Sequence, residues 1–156
     1  MSKLNKVKTM NVTRAIFVVS LLVLMVSVGV QAVGAQEVSI GDAEGQSGET
    51  VTVDISADGV SGVAGYQTKV EFDPSVAEIQ SVSGGDLGSS PTNNPDNTEG
   101  NVFIAQSDQE GTDSPLLAQI TFELIGDAGE STDLTLDSTE TLLNDIRGQS
   151  IPVDLK

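Results

Sequence analysis

Beyond residue 35, apolar side chains recur at every second position and nowhere with a sustained helical period. Val51, Val53 and Ile55 fall on one side of an extended chain, with Thr52 and Asp54 on the other. Tyr66, Thr68, Val70 and Phe72 share a face opposite Gln67, Lys69 and Glu71. Ile120, Phe122 and Leu124 alternate with Thr121 and Glu123, and Leu134 and Leu136 repeat the pattern. A period of two is the signature of a strand buried on one face. Turn-forming clusters separate these runs: Gly45-Gln46-Ser47-Gly48, Asp58-Gly59, Ser83-Gly84-Gly85-Asp86 and Gly126-Asp127-Ala128-Gly129. Their spacing, about a dozen residues, predicts an all-β sandwich of two antiparallel sheets. Strands are expected near 37–40, 50–57, 65–72, 77–82, 101–107, 117–125, 131–137 and 149–154. Phe72-Asp73-Pro74 should end its strand sharply, because Pro lacks an amide proton and Asp73 can cap the turn that follows. Gly88 to Gly100, rich in Ser, Pro, Asn and Asp, reads as a mobile surface loop.

Residues 1–35 have a different character. Lys3, Lys6, Lys8 and Arg14 precede an uncharged apolar run from Ala15 to Val30, and Val33-Gly34-Ala35 offers small residues for cleavage. That order is the secretory signal pattern. The apolar run also approaches the length that spans a bilayer, so an uncleaved N-terminal anchor on the outer face of the membrane is the competing reading. In either case 36–156 is exported, and it is long enough for one domain with one core. The chain has no Cys, so no disulfide or thiolate–metal site supports that domain.

The charge is one-sided. All 23 acidic residues lie beyond residue 35, against only Lys69, Arg147 and Lys156, a net charge of −20 for that segment. Such a field repels nucleic acid and anionic lipid, which excludes both as partners. Acid enrichment with almost no Lys fits the surface of a protein from an extreme halophile, where molar salt shrinks the screening length to about 3 Å.

Catalytic chemistry is hard to place. Without a single His there is no Ser-His-Asp triad and no imidazole-ligated metal. Ser47 and Ser61 lie among glycines but outside any G-x-S-x-G elbow, and no Gly-rich loop leads into a phosphate-binding Lys. Paired carboxylates suffice for glycoside hydrolysis, but chance proximity is unavoidable among so many acids. The expectation is a non-catalytic module. Sugar binding by ring stacking would have to rely on Tyr66, Phe72, Phe103 and Phe122, since Trp is absent. Tyr66, Phe72 and Phe122 occupy inward positions, and Phe103 competes with Val102 and Ile104 for the core. Asp96, Asn97, Thr98 and Glu99 cluster oxygen ligands but do not match an EF-hand loop, so no resident cofactor is expected.

The order of motifs resembles that of a cohesin domain. Val38-Ser39-Ile40-Gly41 leads to Gly48-Glu49-Thr50-Val51-Thr52-Val53, and Gly65 through Pro74 closes on Phe-Asp-Pro. Val76-Ala77-Glu78-Ile79, Ser83-Gly84-Gly85-Asp86-Leu87 and Val102-Phe103-Ile104-Ala105 follow, then Leu117 to Leu124 with Ala128-Gly129. The resemblance implies a jelly-roll β-sandwich of about eight to nine strands, in the broad class that includes carbohydrate-binding modules. It also implies adhesion to a dockerin-type partner that carries the calcium, in a setting of extracellular polysaccharide degradation. Direct binding of polysaccharide is the alternative. In the family, recognition uses the outward face of the sheet holding the third, fifth, sixth and eighth strands. By position, Gly65, Gln67 and Lys69, with Ser107 and Asp108, are the partner-binding candidates. Gly65 and Gln67 stand where cellulosomal cohesins often carry Asn and Asp. Family members continue past a segment like Ile151-Pro152-Val153-Asp154 into one more strand, whereas here the sequence stops at Lys156. Either the reading frame is truncated, or Gln149–Leu155 closes the sheet, or a partner supplies a strand.

Overall fold

The computed structural model describes residues 35–156; the expected export segment lies outside the described residues, apart from Ala35. The strands are β1 (Glu37–Ile40), β2 (Thr50–Asp58), β3 (Val63–Glu71), β4 (Ala77–Gly84), β5 (Thr92–Asp96), β6 (Asn101–Thr112), β7 (Leu116–Leu124), β8 (Thr135–Leu136), β9 (Leu142–Asp145), β10 (Ser150–Ile151) and β11 (Asp154–Leu155). They form two sheets, one in the order β11-β1-β2-β7-β4 and the other in the order β10-β9-β3-β6-β5, with β8 also beside β3.

Alternation places one side of each long strand in the space between the sheets. Val53, Ile55, Val70, Ile104, Ile120 and Phe122 are all buried there. Phe72 meets Phe122 edge-on, with ring centroids 5.3 Å apart, a favoured aromatic geometry. Tyr66 is also buried, and its hydroxyl reaches from β3 to the opposite sheet, where it donates to the Leu117 carbonyl at 2.9 Å. Burial pushes the pKa of its phenol up to about 12. Thr68, fully buried on the inward face, has its hydroxyl satisfied by Thr141 at 2.9 Å.

The turn after Phe72 forms as the sequence dictates, with Asp73 Oδ1 accepting the Ser75 amide at 2.8 Å and the Ser75 hydroxyl at 2.6 Å. Both contacts hold the Asp73 carboxyl below its usual range, the hydroxyl contributing most.

Three segments differ from the sequence expectation. Within Gly88–Gly100 the chain makes an edge strand, β5, paired with β6 from Thr92↔Ala105 to Asp96↔Asn101. Its residues Thr-Asn-Asn-Pro-Asp bury almost nothing and so carry no alternation, and Pro is tolerated at a sheet edge. The strand expected at 131–137 shrinks to Thr135–Leu136, and β9 takes the neighbouring place on β3. The expected strand 149–154 divides around Pro152: Ser150–Ile151 pairs with β9 in one sheet, and Asp154–Leu155 pairs with β1 in the other. The β1–β11 pairing is parallel, Glu37↔Asp154 and Val38↔Leu155, so the sandwich is not wholly antiparallel.

The hairpin turn after β5 also joins the two sheets. Asn97 Oδ1 accepts the Ile79 amide at 2.9 Å, and Asn97 Nδ2 donates to the Ile79 carbonyl at 3.1 Å. One side chain thus fills the place of a neighbouring strand on edge strand β4, which blunts that edge against pairing with another chain.

Candidate docking face

The outward side of the β3 sheet is set by register. Gly65 lies between Ser107 of β6 and Asn144 of β9, and Gln67 between Ala105 and Leu142. Lys69 stands opposite Phe103, which in turn faces Asn94 of β5. Phe103 therefore points away from the core, while Val102 and Ile104 are fully buried. Gly65, Gln67, Thr92, Ala105, Ser107 and Asn144 line a shallow depression on this face. Leu142 beside it is 43% exposed. A β3 glycine at position 65 leaves the floor of the depression low, since no side chain rises from it.

Of the expected contact residues, Gly65, Gln67 and Ser107 come together here. Lys69 shares the face but is engaged along its own strand, its Nζ 2.7 Å from Glu71 Oε1. That hydrogen bond, with further attraction from Glu71, Asp137 and Glu140, raises its pKa. Asp137 sits close by with its carboxyl held low, chiefly by the Thr139 hydroxyl and amide and in small part by Lys69. Asp108 is exposed but leaves the flat face. The β3–β6 register jumps from Gly65↔Ser107 to Val63↔Thr112, so Asp108–Gly111 have no partner on β3. Asp108 Oδ1 instead accepts the Gln109 amide at 2.6 Å.

Leu142 and Asn144 were not among the sequence candidates, and Phe103 was considered there only as a ring for sugar stacking. Phe103 could have been assigned from the parity of Val102 and Ile104. Leu142 and Asn144 had no such signal, because β9 is too short to show one.

The other sheet's outward face is polar and largely satisfied within itself. Thr52 bonds Thr121 at 3.1 Å, Gln119 donates to Asp54 at 2.8 Å, and Gln80 donates to Glu123 at 3.0 Å. A second depression, of about 520 Å³, opens at the end of the sandwich between 42–45 and 129–134. Its floor includes Val51, Val53 and Phe122, and its rim includes Asp42, Glu44, Glu130 and Asp133. Phe122 is only 2% exposed there and offers no ring face to a sugar. The oxygen-rich turn after β5 is committed to its own backbone, with Asp96 Oδ1 accepting the amides of Thr98 and Glu99, both at 3.0 Å. Among the described residues no three acidic, His or Cys side chains converge as metal ligands.

Residues 36–150 match the family model of the cohesin domain. The chain belongs to the cohesin family. Its fold is similar to that of the third cohesin ScaC from Acetivibrio cellulolyticus, solved in complex with the ScaB dockerin. That match has a TM-score of 0.69 and 23% identity over 77% of this chain and 93% of that one. A cohesin–dockerin complex from Clostridium thermocellum is similar at a TM-score of 0.67, with 14% identity over 78% and 94% of the two chains. A non-cellulosomal cohesin from the archaeon Archaeoglobus fulgidus is similar at 0.64, with 19% identity over 78% and 86%. At these identities the likeness is one of fold. Among curated proteins, Cellulose-binding protein A of Clostridium cellulovorans is 30% identical over 69 residues, which make up 44% of this cohesin and 4% of that protein. This cohesin thus corresponds to a small part of that relative's length.

Proposed function

We propose that this cohesin is an exported, non-catalytic adhesion module that docks a calcium-loaded dockerin-type partner on the outward face of the β3 sheet. The observation that carries the reading is the contrast between the two sheets. One outward face is polar and largely self-satisfied, whereas the other exposes Leu142 and leaves Phe103 and Ala105 half-buried among the hydrogen-bonding groups of Gln67, Ser107 and Asn144. Apolar side chains interleaved with hydrogen-bonding groups on one flat face suit a protein–protein interface. Relatives solved as cohesin–dockerin complexes support the same reading, and so does the pattern of residues 1–35, which points to export. A role in attaching polysaccharide-degrading enzymes follows if the partner module is carried by such enzymes. Direct stacking on polysaccharide has less to work with, because Tyr66, Phe72 and Phe122 are buried and Phe103 alone is partly exposed among the described rings.

The double variant Gln67→Ala with Lys69→Glu is expected to weaken docking at least tenfold, on the order of one hot-spot residue. Both side chains are on the outward face, so its thermal unfolding should stay within a few degrees of the parent. Unchanged affinity in a folded double variant removes this face from the proposal.

A further inference from the structure

The depression at the end of the sandwich is a groove with an apolar floor. Val51 and Val53 of β2, Val76, and Phe122 and Leu124 of β7 lie beneath it, between residues 42–45 and residues 129–134. Its volume of about 520 Å³ falls in the range of pre-formed ligand sites, roughly 300–1,000 Å³. A neighbouring depression shares Gly45, Val76, Leu124 and Glu130 with it and lengthens it toward Gln46 and Asp127. None of the residues lining the two lies on β3, β6 or β9, so the groove is separate from the outward β3 face.

Both walls are held before any ligand arrives. On one, the Gly41 amide donates to the Asp54 carbonyl and Glu49 Oε2 accepts the Gln46 amide, both at 2.8 Å. On the other, Glu130 Oε2 accepts the Asp127 amide at 2.8 Å, and the Thr132 hydroxyl oxygen accepts the Asp73 amide at 2.7 Å. Gly45 rests directly on the floor, where a Cβ would meet Leu124 Cδ1 at 2.9 Å and Val51 Cγ1 at 3.1 Å. Fixed walls limit the ordering entropy lost on binding.

The rim is acidic throughout, with Asp42 and Glu44 on one wall and Glu130 and Asp133 on the other, and no Lys or Arg lines the groove. Among the described residues the ion pairs engage Glu71 and Glu37, neither of them on this rim. The rim carboxylates do not gather around one point, since among the described residues no three acidic side chains converge as metal ligands. Negative charge set apart on two walls, above an apolar floor, suits a ligand with spaced cations and an aliphatic body between them. The aliphatic stems of Lys and Arg let a charged head reach a rim while apolar carbon covers the floor.

We infer that this groove is a second docking site, which takes an extended basic segment of another protein in the pattern cation–aliphatic–cation. The aliphatic residue enters the recess over Val51 and Leu124. The cations reach Asp42 and Glu44 on one side and Glu130 and Asp133 on the other. The acidic field of the whole domain attracts any cation, so the recess supplies the selectivity. The two contributions separate by salt: charge attraction is screened at molar KCl, whereas burial of the aliphatic residue survives it. The groove and the β3 face are independent, and either can bind when the other does not.

The test titrates the full chain into dye-labelled, end-blocked tripeptides and reads fluorescence anisotropy at about 0.5 M and about 3 M KCl. The probes are Lys-Leu-Lys, Lys-Ser-Lys and Glu-Leu-Glu. Lys-Leu-Lys is expected to bind about tenfold more tightly than Lys-Ser-Lys at both salt concentrations, the effect of burying one leucine side chain, and Glu-Leu-Glu not at all. Glu44→Lys with Asp133→Lys should abolish binding of Lys-Leu-Lys at the lower salt. Asp58→Lys with Glu110→Lys, the same charge change at the far end of the sandwich, should leave it within about threefold of the parent. Both double variants should melt at or above the parent's temperature, because each removes repulsion among carboxylates. Equal binding of Lys-Leu-Lys and Lys-Ser-Lys, or equal loss in the two double variants, would reduce the groove to one part of a general acidic field and overturn the inference. Binding that is lost in Gln67→Ala with Lys69→Glu but kept in Glu44→Lys with Asp133→Lys would move the site to the β3 face and also overturn it. If the chain instead associates with itself in sedimentation, through an interface that Glu44→Lys with Asp133→Lys removes, the occupant is a second copy and the basic segment is overturned.

Discussion

Replacing Phe122 with alanine is expected to lower the melting temperature of the domain by on the order of 10–20 °C. Phe122 lies on β7, between β2 and β4, inside its sheet rather than at an edge. It is 2% exposed and packs edge-on against Phe72, which follows the end of the opposite sheet's central strand. Truncating a buried Phe removes its transfer free energy and leaves a cavity that the surrounding strands fill only in part, a loss of about 3–5 kcal/mol. A domain of this size holds a margin of about 5–15 kcal/mol in all. With no Cys in the chain, no disulfide offsets the loss. Phe103→Ala is the internal control, since the same ring on the outward face of β6 is only partly buried. A Phe122→Ala shift no larger than that of Phe103→Ala, measured by calorimetry, would contradict this picture of the core.

Lowering the salt should have an effect of similar size across the whole domain. Beyond residue 35 the chain holds 23 acids against three cations, and two of those cations are already paired with single carboxylates. The carboxylates also meet one another: Glu78 on β4 is directly opposite Glu123 on β7, where like charges destabilise a strand pair. At molar KCl the screening length is about 3 Å and such repulsions are nearly silent; at 0.1 M it is about 10 Å and many act together. The melting temperature is therefore expected to fall steadily as KCl is diluted, with loss of strand signal in circular dichroism near or below about 0.1 M. Sucrose at equal osmotic strength should not substitute for KCl, because it is excluded from the protein surface without screening charge. A circular dichroism spectrum unchanged down to about 0.1 M would show that the acidic surface is merely tolerated.

The sheet core was legible because its residues obey a simple rule. Val53 and Ile55, Tyr66 and Val70, and Ile120 and Phe122 belong to strands with a buried side and a wet side, and the period of two records that difference directly. β5 and β9 were not legible for the converse reason. Thr92–Asp96 is an exposed edge strand that pairs through its backbone, and Leu142–Asp145 turns only Leu143 fully inward. The outward β3 face inherits both outcomes. Gln67 and Lys69 could be placed outward from their alternation with Tyr66, Thr68 and Val70. Leu142 and Asn144 could not, because their position beside Gly65 and Gln67 is a matter of long-range register. Asp108 departs from the face for a related reason: adjacency to Ser107 in sequence does not keep it there once β6 loses its β3 partner.

Docking on the outward β3 face, as proposed, requires that the folded domain bind a dockerin-type module. Calorimetric titration of the protein with such a module from the same organism, at molar KCl, tests it most directly when run with calcium and then with chelator. Saturable heat in calcium that disappears on chelation, and that weakens in the Gln67→Ala, Lys69→Glu variant, is the predicted result. No heat from a demonstrably folded protein, or binding indifferent to that variant, would contradict it.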